Sequence, residues 1–465
     1  MVFSSLVFLY FFLPAILIAY HLTKCINVKN VILLLFSFIF YAWGEPLWVL
    51  LLLFSSLMDY ASGWFIERYR SKKSLAIGGM INSVLVNLFL LGTFKYADFI
   101  TKNVNLILGT SFAEPGILLP VGISFYTFQT MSYTIDVYKG EIKAEKSFVN
   151  FLMYVSMFPQ LVAGPIVRYS EIAQAINNRV FSWDMVGSGA NRFCFGLFKK
   201  VVLANSVGGL VEKYLDNQFY NLSTAEAWYG ISLFSLQLYF DFSGYSDMAI
   251  GLGRIFGFKY PENFRHPYAA ISVADFYKRW HMTLGRFFRD YVYIPLGGNR
   301  KYQIRNILVV WFLTGLWHGP SWNFVMWGLF LGCFMVIERL LKKYLDMLPL
   351  ILRYMYTLIL INYSRAFFYF DDFEKLRSFL ITLIISDKPV GVGLISDLAS
   401  YSFLYAVVIL FCIPWDEIYE RNTRVYKQLD MIYNKFAFFI NVIFMLISTI
   451  LIIDDTYNPF IYFRF

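Results

Sequence analysis

Long apolar runs recur from one end of this chain to the other, and they decide which solvent it folds in. A helix needs about 18 such residues, at roughly 1.5 Å rise each, to cross a bilayer. Candidate spans fall near 3–22, 31–43, 47–66, 75–94, 117–136, 148–166, 186–206, 227–256, 305–340, 350–370, 396–414 and 436–453. Charged residues make up only 15% of the 465 positions and hydrophobic ones 58%, too little charge to clothe a soluble protein of this size. The period-2 alternation of a membrane β-barrel is absent. The chain therefore reads as an all-α polytopic membrane protein. Several runs are too long or too interrupted for one crossing, so the expectation is about eleven transmembrane helices plus re-entrant or interfacial pieces.

Met1–Leu22 lacks a basic leader and a small-residue cleavage site, so it reads as a retained helix rather than a signal peptide. Lys24 and Lys29 flank the first turn and Arg68, Arg70, Lys72 and Lys73 crowd the third, whereas the loop between carries Glu45 and Pro46. Basic loops stay in the cytoplasm, which places the N-terminus outside and Lys139, Lys143 and Lys146 inside. The net charge of +9 fits such loops; no concentrated basic soluble face suggests nucleic acid. Cys25, Cys194, Cys333 and Cys412 form no CxxC pair, so no metal or disulfide role is expected. No fixed-period repeat and no long linker interrupt the chain, which reads as one domain.

Four stretches depart from ordinary lipid-facing helix. In Met157–Ile172, "MFPQLVAGPIVRYSEI", two prolines and a glycine break an apolar run; such backbone must be covered by protein, line a wet cavity, or mark a kinked helix leaving the membrane. In Ser235–Phe258, Asp241, Asp247 and Arg254 lie inside an apolar span, and Asp247 and Arg254, two turns apart, share a face. Ionisable groups there are costly unless paired or facing water, so they either fix helix packing or line a site. In Asp275–Lys301, Phe276, Trp280, Leu284 and Phe288 make an apolar stripe while Lys278, Arg279, Arg286 and Arg289 load the rest with charge. That pattern suits an interfacial or re-entrant amphipathic helix, its arginines meeting either lipid headgroups or the phosphates of an acyl donor. Pro295, Gly297 and Gly298 end the element. The fourth stretch is Gly315–Gly328, "GLWHGPSWNFVMWG": Gly319-Pro320 stops a short apolar helix at His318, and Ser321 can cap the next one. His318 is then either a catalytic group at a helix break or a neutral histidine satisfying freed carbonyls.

"MVFSSLVFLYFFLP", "FPQLVAGPIVRY", "LYFDFSGYSDMAIGLGRIFGF", "PENFRHPY", "KRWHMTLGRFFRDYVYIPLGGNR", "LWHGPSWNFVMWG" and the terminal "NPFIYFRF" together resemble the membrane-bound O-acyltransferase family. They are most similar to its bacterial branch that O-acetylates exopolysaccharides such as alginate. The resemblance implies a helical ring with a funnel from each side meeting at a central tunnel. It implies peripheral N-terminal helices over about 1–115, a catalytic core over about 116–341 and C-terminal helices over about 342–465. His318 matches the family's catalytic histidine and His281 its supporting histidine. Trp317, Trp280, Arg279, Arg286, Arg289, Asp290, Asp241 and Asp247 are the associated donor-binding or tunnel candidates. The chain departs from the family at Lys278, where arginine is common, at Gly285, where serine is common, and at Leu331, where a histidine is common.

The implied reaction moves an acetyl group from cytoplasmic acetyl-CoA, a substrate rather than a bound cofactor, across the bacterial inner membrane. A separate extracytoplasmic acyltransferase partner then passes it to the polysaccharide. A neutral imidazole, with a pKa of about 6.5, can take the acceptor hydroxyl's proton, a contribution of about 10²–10⁴-fold. An acyl-histidine intermediate is the variant. Alternatives are D-alanyl transfer from a carrier protein to teichoic acid, a flippase for lipid-linked glycans using Asp241, Asp247 and Arg254 as coupling groups, and a scaffold for a polysaccharide synthase.

Overall fold

The computed structural model describes residues 1–419, 423–454 and 460–461, and among these all regular structure is helical. Of the terminal "NPFIYFRF", only Phe460 and Ile461 fall within the described residues. Contacts divide the chain into two compact units, Met1–Phe193 with Ser246–Pro261, and Cys194–Tyr245 with Glu262–Phe465. The stretch 116–341 thus contributes to both.

Among the described residues, five helices are long and apolar enough to cross a bilayer: Trp48–Arg68, Lys73–Leu108, Trp183–Asn217, Trp322–Leu340 and Lys435–Asp454. Val392–Ser400 and Ser402–Cys412, bent by 66°, would make a sixth. Eleven crossings would require shorter or more polar helices to cross as well. Ile26–Ala42 has 17 residues and Gln303–His318 only 16, and Thr224–Ile255, with 32, carries Glu226, Asp241, Asp247 and Arg254.

In the first unit, Trp48–Arg68, Lys73–Leu108 and Ile123–Lys139 pack on one another. Where they meet, the buried Asp59 carboxylate accepts from Ser83 Oγ at 2.6 Å and from Asn87 Nδ2 at 2.8 Å, and Thr130 Oγ1 donates to Asn87 Oδ1 at 3.2 Å. Buried polar groups cost several kcal/mol unless bonded, so this network dictates which faces meet. Phe3, Phe8, Phe12, Phe40 and Phe158 interlock beside it with centroids 4.9–6.3 Å apart.

The proline-broken run at Met157 is covered by protein. The helix Phe148–Ser156 breaks at Met157, one turn follows over Phe158–Leu161, and every residue from 150 to 167 is buried. Side chains satisfy the freed backbone: Phe158 N donates to Ser37 Oγ at 3.1 Å, Gln160 Nε2 to the Tyr154 carbonyl at 2.6 Å, and Tyr154 Oη to the Val167 carbonyl at 3.0 Å. The expected single span over 148–166 is replaced by this folded-in segment. Gly122, at φ 80°, starts the next-door helix where a Cβ would lie 2.6 Å from the Leu161 carbonyl oxygen.

In the second unit, Gln303–His318 and Trp322–Leu340 form a tight hairpin. Its closeness depends on glycine. A Cβ on Gly328 would lie 2.2 Å from the Trp311 carbonyl oxygen, and one on Gly315 2.4 Å from that of Phe324. Small residues let membrane helices approach backbone to backbone. Gly328→Val should therefore force the helices apart and cut the yield of monodisperse protein on detergent size exclusion several-fold. Gly78→Ala, with nothing within 4 Å of its Cβ, should leave it unchanged. Leu350–Tyr369 packs on Trp322–Leu340, and Val273–Arg279 on both.

Candidate active site

The backbone stops where the Gly-Pro pair requires. Gln303–His318 ends at its histidine, Gly319 is extended (φ −167°), and Trp322 begins the next helix. Gly319 is needed for space, since a Cβ there would sit 2.2 Å from the Phe324 ring. Ser321 occupies the N-cap position, but its side chain makes no capping hydrogen bond. The start of the second helix is held instead by Asn323, whose Nδ2 donates to the Phe370 carbonyl at 2.6 Å and to that of Asp371 at 3.0 Å. His318 is 7% exposed. Trp317, Trp327 and Phe368 each present a ring about 5.0 Å from its imidazole centroid, at steep interplanar angles.

The stretch after Asp275 is not one amphipathic helix. Val273–Arg279 and Met282–Phe288 are separate, and His281 stands between them with φ 45° and ψ 51°. The stripe of Phe276, Trp280, Leu284 and Phe288 is buried in protein rather than laid on lipid. Left-handed backbone costs a non-glycine residue roughly 1–2 kcal/mol, so neighbours must hold it. Asn263, fully buried, does so: its carbonyl accepts from Met282 N at 2.9 Å, and its Oδ1 accepts from Thr283 Oγ1 at 2.8 Å and Thr283 N at 3.3 Å. The same Oδ1 lies 3.1 Å from His281 Nδ1. A backbone N–H can only donate, which fixes the Oδ1 orientation of the amide. The proton then sits on His281 Nδ1 and the lone pair on Nε2.

Trp317 brings the two histidines together. Its ring lies 5.7 Å from that of His281 and 5.0 Å from that of His318, so the imidazoles are no farther apart than those two distances combined. Phe242 packs edge-on to His281 at 4.8 Å.

The charged candidates scatter. Arg279 pairs with Asp275 at 3.3 Å and Glu417 at 2.6 Å, Arg289 pairs with its neighbour Asp290 at 2.6 Å, and Arg286 is half-buried on Met282–Phe288. Asp241 is bound to Lys200, both buried, at 2.5 Å. Asp247 is gripped by Arg192, Nη2 at 2.7 Å and Nε at 2.9 Å, and Arg254 lines a cavity of the first unit. Trp280 stacks on Phe276, and the guanidinium of Arg365 lies 4.4 Å over the Trp280 ring.

Asn263, Lys200 and Arg365 were missed. Arg365 is a lone cation in an apolar run and Lys200 stands with Lys199 between apolar residues, which was signal enough. Asn263 lay inside "PENFRHPY" with no pattern to single it out.

Beside this site a cavity of about 530 Å³ is lined by Lys278, Arg339, Lys342 and Arg353 together with Ser272, Glu338 and others. Glu338 accepts from Val273 N at 2.6 Å and Ala274 N at 3.1 Å, capping the helix that carries Lys278, and Asp346 pairs with Arg353 at 3.2 Å. The helix that runs from this wall ends at Arg279, two residues before His281.

Two buried histidines thus stand at helix breaks in an apolar, multi-helix chain. The chain belongs to the membrane-bound O-acyltransferase family, whose model matches residues 12–370, and it is an O-acyltransferase. It is 41% identical over 349 residues to a probable alginate O-acetylase of Azotobacter vinelandii, covering 74% of this chain and 69% of that one. A probable alginate O-acetylase of Pseudomonas aeruginosa is likewise 41% identical, over 73% of this chain and 66% of its own length. A peptidoglycan O-acetyltransferase of Helicobacter pylori is 35% identical over 414 residues, covering 81% of this chain and 78% of that one. The chain thus spans about two-thirds of the length of the alginate O-acetylases.

Proposed function

We propose that this protein takes an acetyl group from acetyl-CoA at the cytoplasmic face and passes it outward for O-acetylation of an extracellular polysaccharide such as alginate. A separate extracytoplasmic acyltransferase would complete the transfer. The supporting observation is the bracket His281–Trp317–His318, in which His281 is pinned in left-handed backbone by Asn263. His318 removes the proton of the acceptor hydroxyl as its oxygen attacks the thioester carbonyl. The tetrahedral intermediate collapses with cleavage of the carbon–sulfur bond, and the proton passes from His318 to the leaving thiolate. Neutral His281, with its proton on Nδ1, offers Nε2 as an acceptor. It can orient an O–H or N–H of a substrate, whereas polarising a carbonyl would need the imidazolium.

The cavity at Lys278 supports a phosphate-bearing donor. Of its cations, Lys278 stands on the helix that leads to His281, whereas Arg279 and Arg289 are engaged by carboxylates. Lys278→Gln with Arg339→Gln should raise the apparent KM for acetyl-CoA about tenfold, one charge-assisted contact's worth, with kcat within about twofold. The test is transfer of labelled acetyl from acetyl-CoA in membranes, run beside D-alanyl offered on a carrier protein. Transfer of D-alanyl but not acetyl would move the protein to the teichoic-acid activity named for a relative in Streptococcus thermophilus, 30% identical over 309 residues.

A further inference from the structure

A second cation-lined cavity lies wholly within the first unit and has no part in the chemistry above. It occupies about 210 Å³ and is lined by Lys24, Lys29, Arg179 and Arg254, with Asn178 and Ser182 among its neutral donors. No carboxylate is among the described residues that line it. Four segments build it: the end of the first apolar helix, the start of Ile26–Ala42, the turn after Tyr169–Asn177, and the last turn of Thr224–Ile255. Arg254, which helical spacing puts on the face of Asp247, lines this cavity, and Asp247 is paired with Arg192.

Arg179 and Lys29 rest on neutral groups. The Arg179 guanidinium lies 4.5 Å over Phe258, its Nη2 donates to Asn30 Oδ1, and Lys29 Nζ sits 4.7 Å over the Tyr20 ring. Arg179 Nε and Nη1 are buried without a hydrogen-bond partner among the described residues. Buried donors are almost always satisfied, and the like charges of Lys29 and Arg179 beside one space repel unless an anion joins them. At about 30 Å³ per water-sized group, the volume holds a phosphate and the first atoms of whatever it esterifies.

The surroundings indicate where that phosphate comes from. Leu22, Val180 and Trp183 beside the cavity are 81%, 77% and 76% exposed, apolar side chains of the kind that dip into a bilayer interface, with tryptophan at headgroup depth. Lys24 and Lys29 lie in a loop that the charge bias assigns to the cytoplasmic side, where anionic lipid attracts basic groups.

We infer that the cavity at Lys24, Lys29, Arg179 and Arg254 is a binding site for a phosphate ester, separate from the histidine pair. A phospholipid headgroup and the phosphate of a soluble ligand share the chemistry that would recognise it.

The test uses the full-length protein in detergent and reads binding, so it stands whether or not acetyl transfer is found. Thermal midpoint and native mass spectrometry would be followed on titration with phosphatidylglycerol, phosphatidylcholine, inorganic phosphate and coenzyme A. The expected result is a midpoint raised by several degrees with phosphatidylglycerol, and about tenfold weaker binding in Lys29→Gln and in Arg254→Gln. A shift with coenzyme A or phosphate instead, lost in the same variants, keeps the site and makes its ligand soluble. Lys24→Gln, at an exposed position, serves as a variant certain of being tested in folded protein. No shift with any anion, or equal shifts in wild type and all three variants, would overturn the assignment.

Discussion

Replacing His318 with glutamine should lower acyl transfer by about 10²–10⁴-fold, the range a general base supplies, while leaving the KM for the donor within about threefold. The split between kcat and KM is the informative part. His318 lies against Trp317, Trp327 and Phe368, and glutamine fills much of the same space without a basic nitrogen. Its thermal midpoint should therefore stay near wild type, which separates lost chemistry from lost packing; His318→Ala would open a cavity and confuse the two. His281→Gln should cost less, because an acceptor that orients substrate contributes less than one that carries the proton. Equal losses at both positions with additive effects in the double variant would instead give the histidines independent roles. Undiminished transfer in folded His318→Gln would leave this histidine as a group that merely satisfies the helix break.

Which parts of the molecule the sequence disclosed follows from how local each cause is. The break at His318 was readable because Gly319 and Pro320 are punctuation whose effect does not depend on neighbours, and the helix ends on the residue expected. The break at His281 was not. No glycine or proline marks it, and the positive φ is imposed by Asn263, 18 residues away in sequence. Helical spacing placed Phe276, Trp280, Leu284 and Phe288 on one face, but periodicity says only that a face is apolar, not whether lipid or protein covers it. Here protein covers it, and Arg279 meets Asp275 and Glu417. The same arithmetic put Asp247 and Arg254 on one face, but it could not show that Arg192, 55 residues away on another helix, grips Asp247. Pairing across helices is a tertiary fact, and one sequence holds no record of it. Arg365, a single cation in an apolar run, and Lys200, beside Lys199 in another, were open to view, because burial there demands a partner or a ring to lie on.

Asp241→Ala should be among the most damaging changes in the chain. Its side chain and that of Lys200 are 1% and 3% exposed, and they meet at 2.5 Å. The second carboxylate oxygen accepts from Ile461 N at 2.9 Å, and Lys200 Nζ lies 5.8 Å over Phe460, so these two residues close over the pair. Removing one partner strands a buried charge at a cost of about 3–5 kcal/mol, a large share of the roughly 5–15 kcal/mol that holds a typical fold. Yield and thermal midpoint of Asp241→Ala and of Lys200→Met should both collapse. The double variant Lys200→Met with Asp241→Leu should recover most of that loss, since apolar groups of similar volume often replace a buried pair without penalty. Its activity then decides between two uses of the charges. Phe242, the residue after Asp241, packs against His281, so restoring the helix's position should restore acyl transfer as well. A coupling group of a transporter must keep its charge to work, and in that case the refolded double variant would be stable and inactive. Stable and active is the expected outcome, because the pair fixes the helix that backs the catalytic histidine and takes no part in moving the acyl group.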